Sequence, residues 1–179
     1  MSQPAAVARV VEAAAARGVA LEIVTFDQST RTALEAAQAV GAEVGQIVKS
    51  LVFVAGPTGA IGEIGEIGEA CLALVSGANR VDPARLAAAL GAAVVRRATA
   101  DEAYAATCFA IGGIPPFGHC RPIRTLMDPA LLGFESVWAA AGTGNTVFAI
   151  APAKLRELAS ATVAAICERS AVSDEVPAR

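Results

Sequence analysis

The only histidine of the chain, His119, lies in a ten-residue segment, IGGIPPFGHC (111–120), that also holds three glycines and two adjacent prolines. Glycines let a backbone adopt unusual dihedral angles and approach a ligand closely. The prolines stiffen the turn and remove competing N–H donors, so the remaining amides can converge on a carbonyl oxygen or a developing oxyanion. The composition predicts either a ligand-binding loop or a rigid structural turn, and His119 is either a catalytic group or an ordinary structural histidine.

Lys49 is a second candidate, because the chain has twelve arginines and only two lysines. The other lysine, Lys154, falls in a predicted surface helix, whereas Lys49 interrupts the apolar segment IVKSLVF. A lysine in such a strand either extends to solvent at a sheet edge or points into a polar cavity. In the second case, a compact cation on a rigid strand suits a phosphate or a developing negative charge.

The motifs of other common chemistries are missing from the sequence. No serine lies in a GxSxG elbow, and neither GxGxxG nor GxxxxGK[ST] is present. With one histidine and no CxxC pair, the sequence offers few ligands for a metal ion, so we expect no metal and no cofactor. Cys71, Cys108, Cys120 and Cys167 are widely scattered, and we expect reduced, mostly buried thiols.

Composition and charge limit the class of protein. A hydrophobic content of 55% with 17% charged residues excludes a disordered chain and predicts one compact domain over residues 1–169, followed by a flexible tail, 170–179. There is neither an apolar run of membrane-spanning length nor a signal-peptide layout, so we expect a cytoplasmic protein without a membrane segment. A net charge of −3 disfavours binding to long DNA, although a contact with one end of a nucleic-acid strand remains compatible.

The elements that must position these residues are short helices and strands in irregular order, which predicts an α+β fold with a mixed, curved sheet. Capping boxes at Thr32 and Thr99, and the pair Asp82–Pro83, indicate three helix starts. The predicted helices are 4–17, 32–40, 82–90, 99–106 and 152–158, and the predicted strands are 21–26, 47–55, 71–77, 92–98, 122–128, 135–142, 145–152 and 162–167. The repeat IGEIGEIGE (61–69) is interpreted as an acidic hairpin connection, with a flap over a site as the alternative.

Taken in order, several segments resemble the YbaK family, which is related to the editing insertion of bacterial prolyl-tRNA synthetases. The resemblance covers about residues 5–165. It rests on VTFDQST, QIVKSLVF with its lysine, LALVSGANRVDPARLAAALGA, the GxxxP loop at 112–116, and PIRTLMD followed by VWAAAGTGN. The chain departs from many relatives at Pro115 and at Ala140 or Ala141, where serines are found, and in its 61–69 repeat.

The resemblance implies the family's fold, a mixed sheet curled towards a barrel with peripheral helices. It also implies trans-editing, the hydrolysis of the ester that joins a wrong amino acid to the 3′-terminal adenosine of a tRNA. The expected partner is the acceptor end of an aminoacyl-tRNA, with transient contact with a synthetase. Such an enzyme needs no metal, because a labile ester can be cleaved by positioning water or the ribose hydroxyl of the substrate.

The resemblance also assigns roles to residues. Lys49 is expected to hold the terminal phosphate or ribose, and Gly112 to lie nearest the scissile carbonyl, as the two catalytic positions. The expected substrate-binding residues are Phe26, Thr30, Ser50, Gly113, Pro116, Phe117, Gly118, His119, Ala141, Gly142 and Asn145. Arg80, Arg121 or Arg124 are expected to assist at the acceptor end.

Two other functions stay open on the sequence. A non-catalytic module that binds aminoacyl-tRNA or a nucleotide would keep Lys49 but show no turnover, and a general esterase would depend on His119. For the editing enzyme, Ala- or Cys-tRNA for proline is expected, with alanine first because Pro115 and the alanines of the late turn suggest a tight apolar pocket. Serine and threonine, the tRNA identity and the oligomeric state are left open.

Overall fold

The structure, a computed structural model, describes residues 4–27, 29–30, 32–56 and 68–168. Its α-helices are α1 (Ala5–Ala15), α2 (Ala33–Val40), α3 (Pro83–Leu90), α4 (Ala100–Thr107) and α5 (Pro152–Leu158), with two short 3₁₀ helices at Val44–Gln46 and Pro129–Gly133. Its strands are β1 (Ile23–Thr25), β2 (Val48–Gly56), β3 (Glu69–Ser76), β4 (Val94–Arg97), β5 (Arg124–Met127), β6 (Val137–Ala140), β7 (Thr146–Ile150) and β8 (Thr162–Val163). The predicted α+β class is confirmed. The predicted tail, and the 61–69 repeat up to residue 67, lie outside the described residues.

The helices begin where the sequence places their caps. Thr32 and Thr99 each accept a hydrogen bond from the backbone N–H three residues later, and Glu35 and Glu102 complete the two capping boxes. The Asp82 carboxylate accepts from the N–H groups of the first turn of α3. These side chains satisfy N–H groups that a helix leaves without a partner, which fixes where each helix starts. None of the helices in the described ranges is both long enough and apolar enough to cross a membrane.

The strands form two sheets. Three antiparallel strands lie in the order β1-β7-β6, and five strands lie in the order β4-β2-β3-β5-β8. The larger sheet is mixed, because β4, β2 and β3 are antiparallel while β5 and β8 run parallel to their neighbours. An isolated bridge between Ile47 and Trp138 links the sheets. The mixed sheet is as predicted, whereas the described strands do not close into a single barrel.

The larger sheet is covered on both faces, as the alternation of its side chains shows. Val48 and Val52 of β2 belong to a core cluster with residues of α1, α4, α5 and the smaller sheet. Phe53 belongs instead to a cluster with Leu86 and Leu90 of α3, and Leu51 packs against that cluster. Because successive strand residues point to opposite faces, β2 carries one set of side chains towards the smaller sheet and another towards α3.

The expectation of four reduced cysteines is wrong, because Cys108 and Cys120 form a disulfide. Cys108 ends α4 in a left-handed conformation with φ of 61°, and Cys120 follows His119 at the end of the glycine-proline segment. The bond therefore joins the two ends of that segment. The spacing of twelve residues fits no familiar motif, and only the turn of the chain after α4 brings the two thiols together.

Candidate functional site

A cavity of about 290 Å³ lies along one edge of β2. On its other edge β2 pairs with β3 from Val48 to Ala55, whereas β4 pairs with β2 only at 53–56. All five residues from 48 to 52 line the cavity, which places it along the part of β2 that β4 leaves uncovered. The site is thus built on a rigid central strand and closed by segments from elsewhere in the chain.

The peptide groups of β2 alternate between its two edges, which decides what the cavity can reach. The carbonyl of Ile47 accepts from Gly77, next to β3, and the carbonyl of Val52 accepts from Ala98, next to β4. The same alternation turns the N–H and C=O of Ser50 towards the free edge and the cavity. A ligand here meets one backbone donor and one acceptor at Ser50.

The ammonium of Lys49 is held by a backbone turn. It donates to the carbonyl oxygen of Gly77 at 3.1 Å and to that of Asn79. Burial lowers the pKa of Lys49, and the neighbouring Arg80 also lowers it, while Cys167 and Asp128 oppose the shift. Lys49 is therefore a cavity-lining residue whose half-buried ammonium is held in a fixed position by the turn after β3, and among the described residues no protein acceptor takes its third N–H.

The Ser50 hydroxyl is the one buried side-chain oxygen or nitrogen in the described part of the chain that has no hydrogen-bond partner. It lies in the cavity wall among apolar side chains that include Val48, Val52, Ala103 and Ile114. A buried hydroxyl without a partner costs about 1–3 kcal/mol. The oxygen itself is buried, so the hydroxyl is a polar atom without a partner within an otherwise apolar wall.

In the glycine-proline segment, Gly112 lines the cavity but the next residue, Gly113, does not. Gly112 has φ of 93° and open space where a Cβ would lie. Gly113 is buried, donates its N–H to the Ala110 carbonyl at 3.0 Å, and sits where a Cβ would come within 2.7 Å of the Thr143 Cα. Gly112 can therefore present backbone to a ligand, whereas Gly113 allows the segment to pack on the 142–146 turn.

The 142–146 turn and Thr30 form the opposite wall. Thr30 donates its N–H to the Gly144 carbonyl at 3.0 Å, and both residues line the cavity. Phe26 and Asn145 are joined by two hydrogen bonds, of 2.8 and 3.0 Å, but they do not line it. Those two residues hold the wall in place from behind.

Ala141 and Gly142 also lie behind the wall. Ala141 is fully buried in the core, and Gly142, with φ of 104°, passes so close to α1 that a Cβ would come within 2.8 Å of the Ala6 carbonyl oxygen. These two positions fix the path of the turn without reaching the cavity.

Four predicted binding residues, Pro116, Phe117, Gly118 and His119, line a different cavity. Phe117 packs on Phe148 with ring centroids 5.7 Å apart. His119 Nε2 lies 2.8 Å from the Pro115 carbonyl oxygen, and burial lowers the pKa of His119. The structure therefore places His119 at a different cavity from the one that Lys49 lines, so the esterase hypothesis, which depends on His119, would need a separate site.

Several cavity residues were missed from the sequence, above all Arg97 and Trp138. Arg97 ends β4 with its guanidinium carbon 5.1 Å from the centre of the Phe53 ring. Its neighbour Arg96 is engaged by Glu102 at 2.7 Å. Alternation along β4 is the signal that could have separated these two arginines, since one is paired and the other is turned towards the site.

The arginines expected to help at the acceptor end do not line this cavity. Arg80 is a charged neighbour of Lys49, whereas Arg124 donates to the carbonyls of Leu90 and Ala89 beside α3. Arg121 lines the cavity that holds His119. Only Arg80 is therefore placed to act with Lys49.

The thiol nearest Lys49 among the described residues, that of Cys167, is not activated as a nucleophile. Burial and the Asp128 carboxylate raise the pKa of the Cys167 thiol to about 12, so it stays protonated at neutral pH. Within the described ranges, no three His, Cys, Asp or Glu side chains come together as a metal site would require. The arrangement is that of a binding cleft with a fixed cation, a free backbone edge and an apolar wall.

Comparison with known proteins gives consistent results. Residues 27–158 match the sequence profile of the aminoacyl-tRNA editing domain. A crystal structure of a protein proposed to be a trans-editing enzyme for prolyl tRNA synthetase is 46% identical, with a TM-score of 0.81 over 94% of this chain and 100% of its own. The crystal structure of hypothetical protein APE2540 is 28% identical, with a TM-score of 0.77 over 89% of this chain and 99% of its own. The uncharacterized protein YwhH of Bacillus subtilis (strain 168) is 26% identical over 79% of this chain and 83% of its own length.

Proposed function

Because the chain belongs to the aminoacyl-tRNA editing domain family, we propose that it is a trans-editing hydrolase that deacylates mischarged tRNA for proline. The observation that carries this proposal is the cavity itself. Lys49, Ser50, Gly112 and Thr30, expected to act together, come from three separate stretches of sequence and line one cavity. The likeness to a protein proposed to edit for prolyl-tRNA synthetase supports proline as the tRNA identity.

The size and polarity of the cavity favour a small amino acid. Its apolar wall includes Val48, Val52, Ala103, Ile114 and Ala139. A volume of about 290 Å³ leaves little room beyond a terminal ribose and a short side chain. Synthetases discriminate poorly among small apolar side chains, since one methylene is worth only about 1–3 kcal/mol, so a second hydrolytic pocket has a purpose here. We propose alanine as the first substrate and cysteine as the second.

Lys49 and Gly112 are proposed to fix the reacting ester. The Lys49 ammonium, already oriented by two carbonyls, would bind the terminal phosphate or ribose through its third N–H. Gly112 would place its amide near the ester carbonyl, where a positive φ and the lack of a side chain keep the approach open. The Ser50 peptide group, which faces the free edge of β2, would bind the aminoacyl group beside them.

Positioning is proposed to supply most of the rate enhancement. Water adds to the ester carbonyl, the bond to the 3′-oxygen breaks, and that oxygen leaves with a proton. In the alternative, the substrate's own ribose 2′-hydroxyl takes a proton from that water and passes one to the 3′-oxygen, so that water is still the group that adds to the carbonyl. Holding the ester and the water in a fixed geometry can contribute several kcal/mol without a protein nucleophile. Phe26, Gly113, Ala141, Gly142 and Asn145 are proposed to support the walls rather than to touch substrate, whereas Thr30 is proposed to line the pocket.

The setting of this reaction is also proposed. The acceptor end of a cytoplasmic aminoacyl-tRNA would enter the cavity, with Arg97 and Arg80 facing its phosphates, and contact with a synthetase would be transient. A net charge of −3 suits a contact limited to one end of the tRNA.

The test is a deacylation time course on tRNA for proline charged with labelled alanine, cysteine, serine or threonine. Wild type is compared with Lys49→Ala and with Lys154→Ala, the matched control, because Lys154 is the only other lysine and forms an exposed ion pair with Glu157. We expect rapid release of alanine by wild type and Lys154→Ala, and little release by Lys49→Ala. Tight binding of the charged tRNA without release of any amino acid would favour a non-catalytic binding module instead.

A further inference from the structure

A buried carboxylate lies behind Lys49 and has no part in the proposed function. The ammonium of Lys49 is oriented by the carbonyls of Gly77 and Asn79, which belong to the turn after β3. A turn positions a side chain only if the turn is itself fixed. Asp128, at the end of β5, fixes this turn. Only 2% of this residue is exposed.

The two carboxylate oxygens of Asp128 accept hydrogen bonds from different segments. Oδ1 accepts from the Ala130 N–H at 3.0 Å and caps the following 3₁₀ helix. Oδ2 accepts from the Ser76 N–H at 3.2 Å and from Asn79 Nδ2 at 2.8 Å. Ser76 and Asn79 flank Gly77, so a single oxygen holds both ends of the turn that receives the Lys49 ammonium.

We propose that Asp128 is a positioning residue for Lys49, acting through the 76–79 turn. This inference rests on the proposed function of Lys49 and adds a residue to it. Asp128 does not line the cavity, so it reaches substrate only through Lys49. Other charged or titratable groups face the same ammonium, namely Cys167, Arg80 and Arg97. Of the four, Asp128 is the carboxylate, and its charge favours the protonated lysine.

Asp128→Asn tests this arrangement with little change in volume. The asparagine oxygen still caps Ala130, since asparagine is as good a cap as aspartate. Its NH₂ group then faces the Ser76 N–H, a donor to which it cannot bond, and Asn79 can bond to it only by turning over its own amide, so the turn is disturbed while the cap remains. Asp82→Asn is the matched control, because Asp82 also precedes a proline and caps a helix, but it accepts only from Ala84 and Arg85.

The first readout is deacylation of the mischarged tRNA. We expect kcat/KM to fall by up to about 100-fold in Asp128→Asn, the scale of an ångström-sized misplacement, and to stay unchanged in Asp82→Asn. In a Lys49→Ala background Asp128→Asn should have no further effect, because the residue through which it acts is gone. Equal losses from Asp128→Asn with and without Lys49 would overturn the proposal.

The second readout does not depend on activity. With two lysines in the chain, an NMR titration of the side-chain Nζ signals follows Lys49 separately from Lys154. Asp128→Asn should lower the Lys49 pKa further, since a nearby negative charge is removed, and should leave Lys154 unchanged. Asn79→Ala, which removes one of the two hydrogen bonds to Asp128 Oδ2, should also lower the Lys49 pKa. An unchanged Lys49 signal in both variants would overturn the proposal, even if wild type deacylated nothing and the proposed function had failed separately.

Discussion

The contact between Gly113 and Thr143 joins the two walls of the cavity, and an added methyl group there should separate them. A Cβ on Gly113 would lie 2.7 Å from Thr143 Cα, 2.8 Å from Thr143 C and 2.9 Å from the Gly142 oxygen. All three are backbone atoms, so no flexible side chain can move aside. In Gly113→Ala the 111–114 segment must therefore shift away from the 142–146 turn.

The expected cost follows from this geometry. Overpacking of a well-packed interior typically costs about 1–3 kcal/mol. For a chain of this length, that corresponds to a fall in Tm of roughly 3–9 °C. Gly133→Ala is the matched control, since its Cβ would meet nothing within 4 Å, and its Tm should stay at the wild-type value or rise slightly.

Thermal unfolding and deacylation kinetics, measured on the same preparations, check this reasoning. Gly113→Ala should lose both Tm and kcat/KM, because Gly112 moves with its neighbour. If Gly113→Ala unfolded at the same temperature as Gly133→Ala, the contact would not hold the walls together. The description of the cavity would then be wrong at this point.

Three further perturbations follow from single contacts. Replacing both Cys108 and Cys120 by serine should lower the free energy of unfolding by about 3 kcal/mol, as expected for a loop closed over twelve residues. Urea titration measures this free energy, and an equal stability of the wild type before and after reduction would contradict the disulfide. The hydrogen bonds from Arg96 lower the pKa of Glu102 to about 2, so its contribution to stability is present above the unfolded value of about 4.5 and is lost as the pH falls towards 2. Glu102→Gln, which keeps the capping box, should flatten the fall of Tm between pH 5 and pH 2, and an unaltered profile would refute the assignment. His119→Ala should leave the kcat/KM of deacylation unchanged, because the imidazole lines another cavity, and a complete loss would restore the esterase hypothesis.

Local signals in the sequence were enough to predict the helix starts. Thr32, Thr99 and Asp82 act through hydrogen bonds to residues two or three positions away, and such bonds depend on little else in the chain. The same holds for the strand around Lys49, whose β-branched neighbours indicate a central strand. For these elements the sequence and the structure differ by only a few residues at the ends.

Which residues face the cavity was harder to predict from the sequence. Composition marked the 111–120 segment as special, but it could not show that Gly112 faces the cavity while Phe117 packs into the core. The disulfide and the separation of His119 from Lys49 depend on how the chain turns after α4, which no short-range pattern encodes. Arg97 could have been found from the alternation of β4, whereas the role of Asp128 required the positions of β3 and β5 together.

The most direct test is a crystal structure of the protein with alanine joined by an amide to the 3′ position of 3′-amino-3′-deoxyadenosine 5′-phosphate, because this amide resists the hydrolysis that cleaves the ester. We expect the alanine methyl group to lie among Val48, Val52 and Ala103, its carbonyl to lie nearest Gly112, and Lys49 to contact the ribose or phosphate. An analogue bound beside His119, or one bound without contact to Lys49, would show that the proposed cavity is not the editing site.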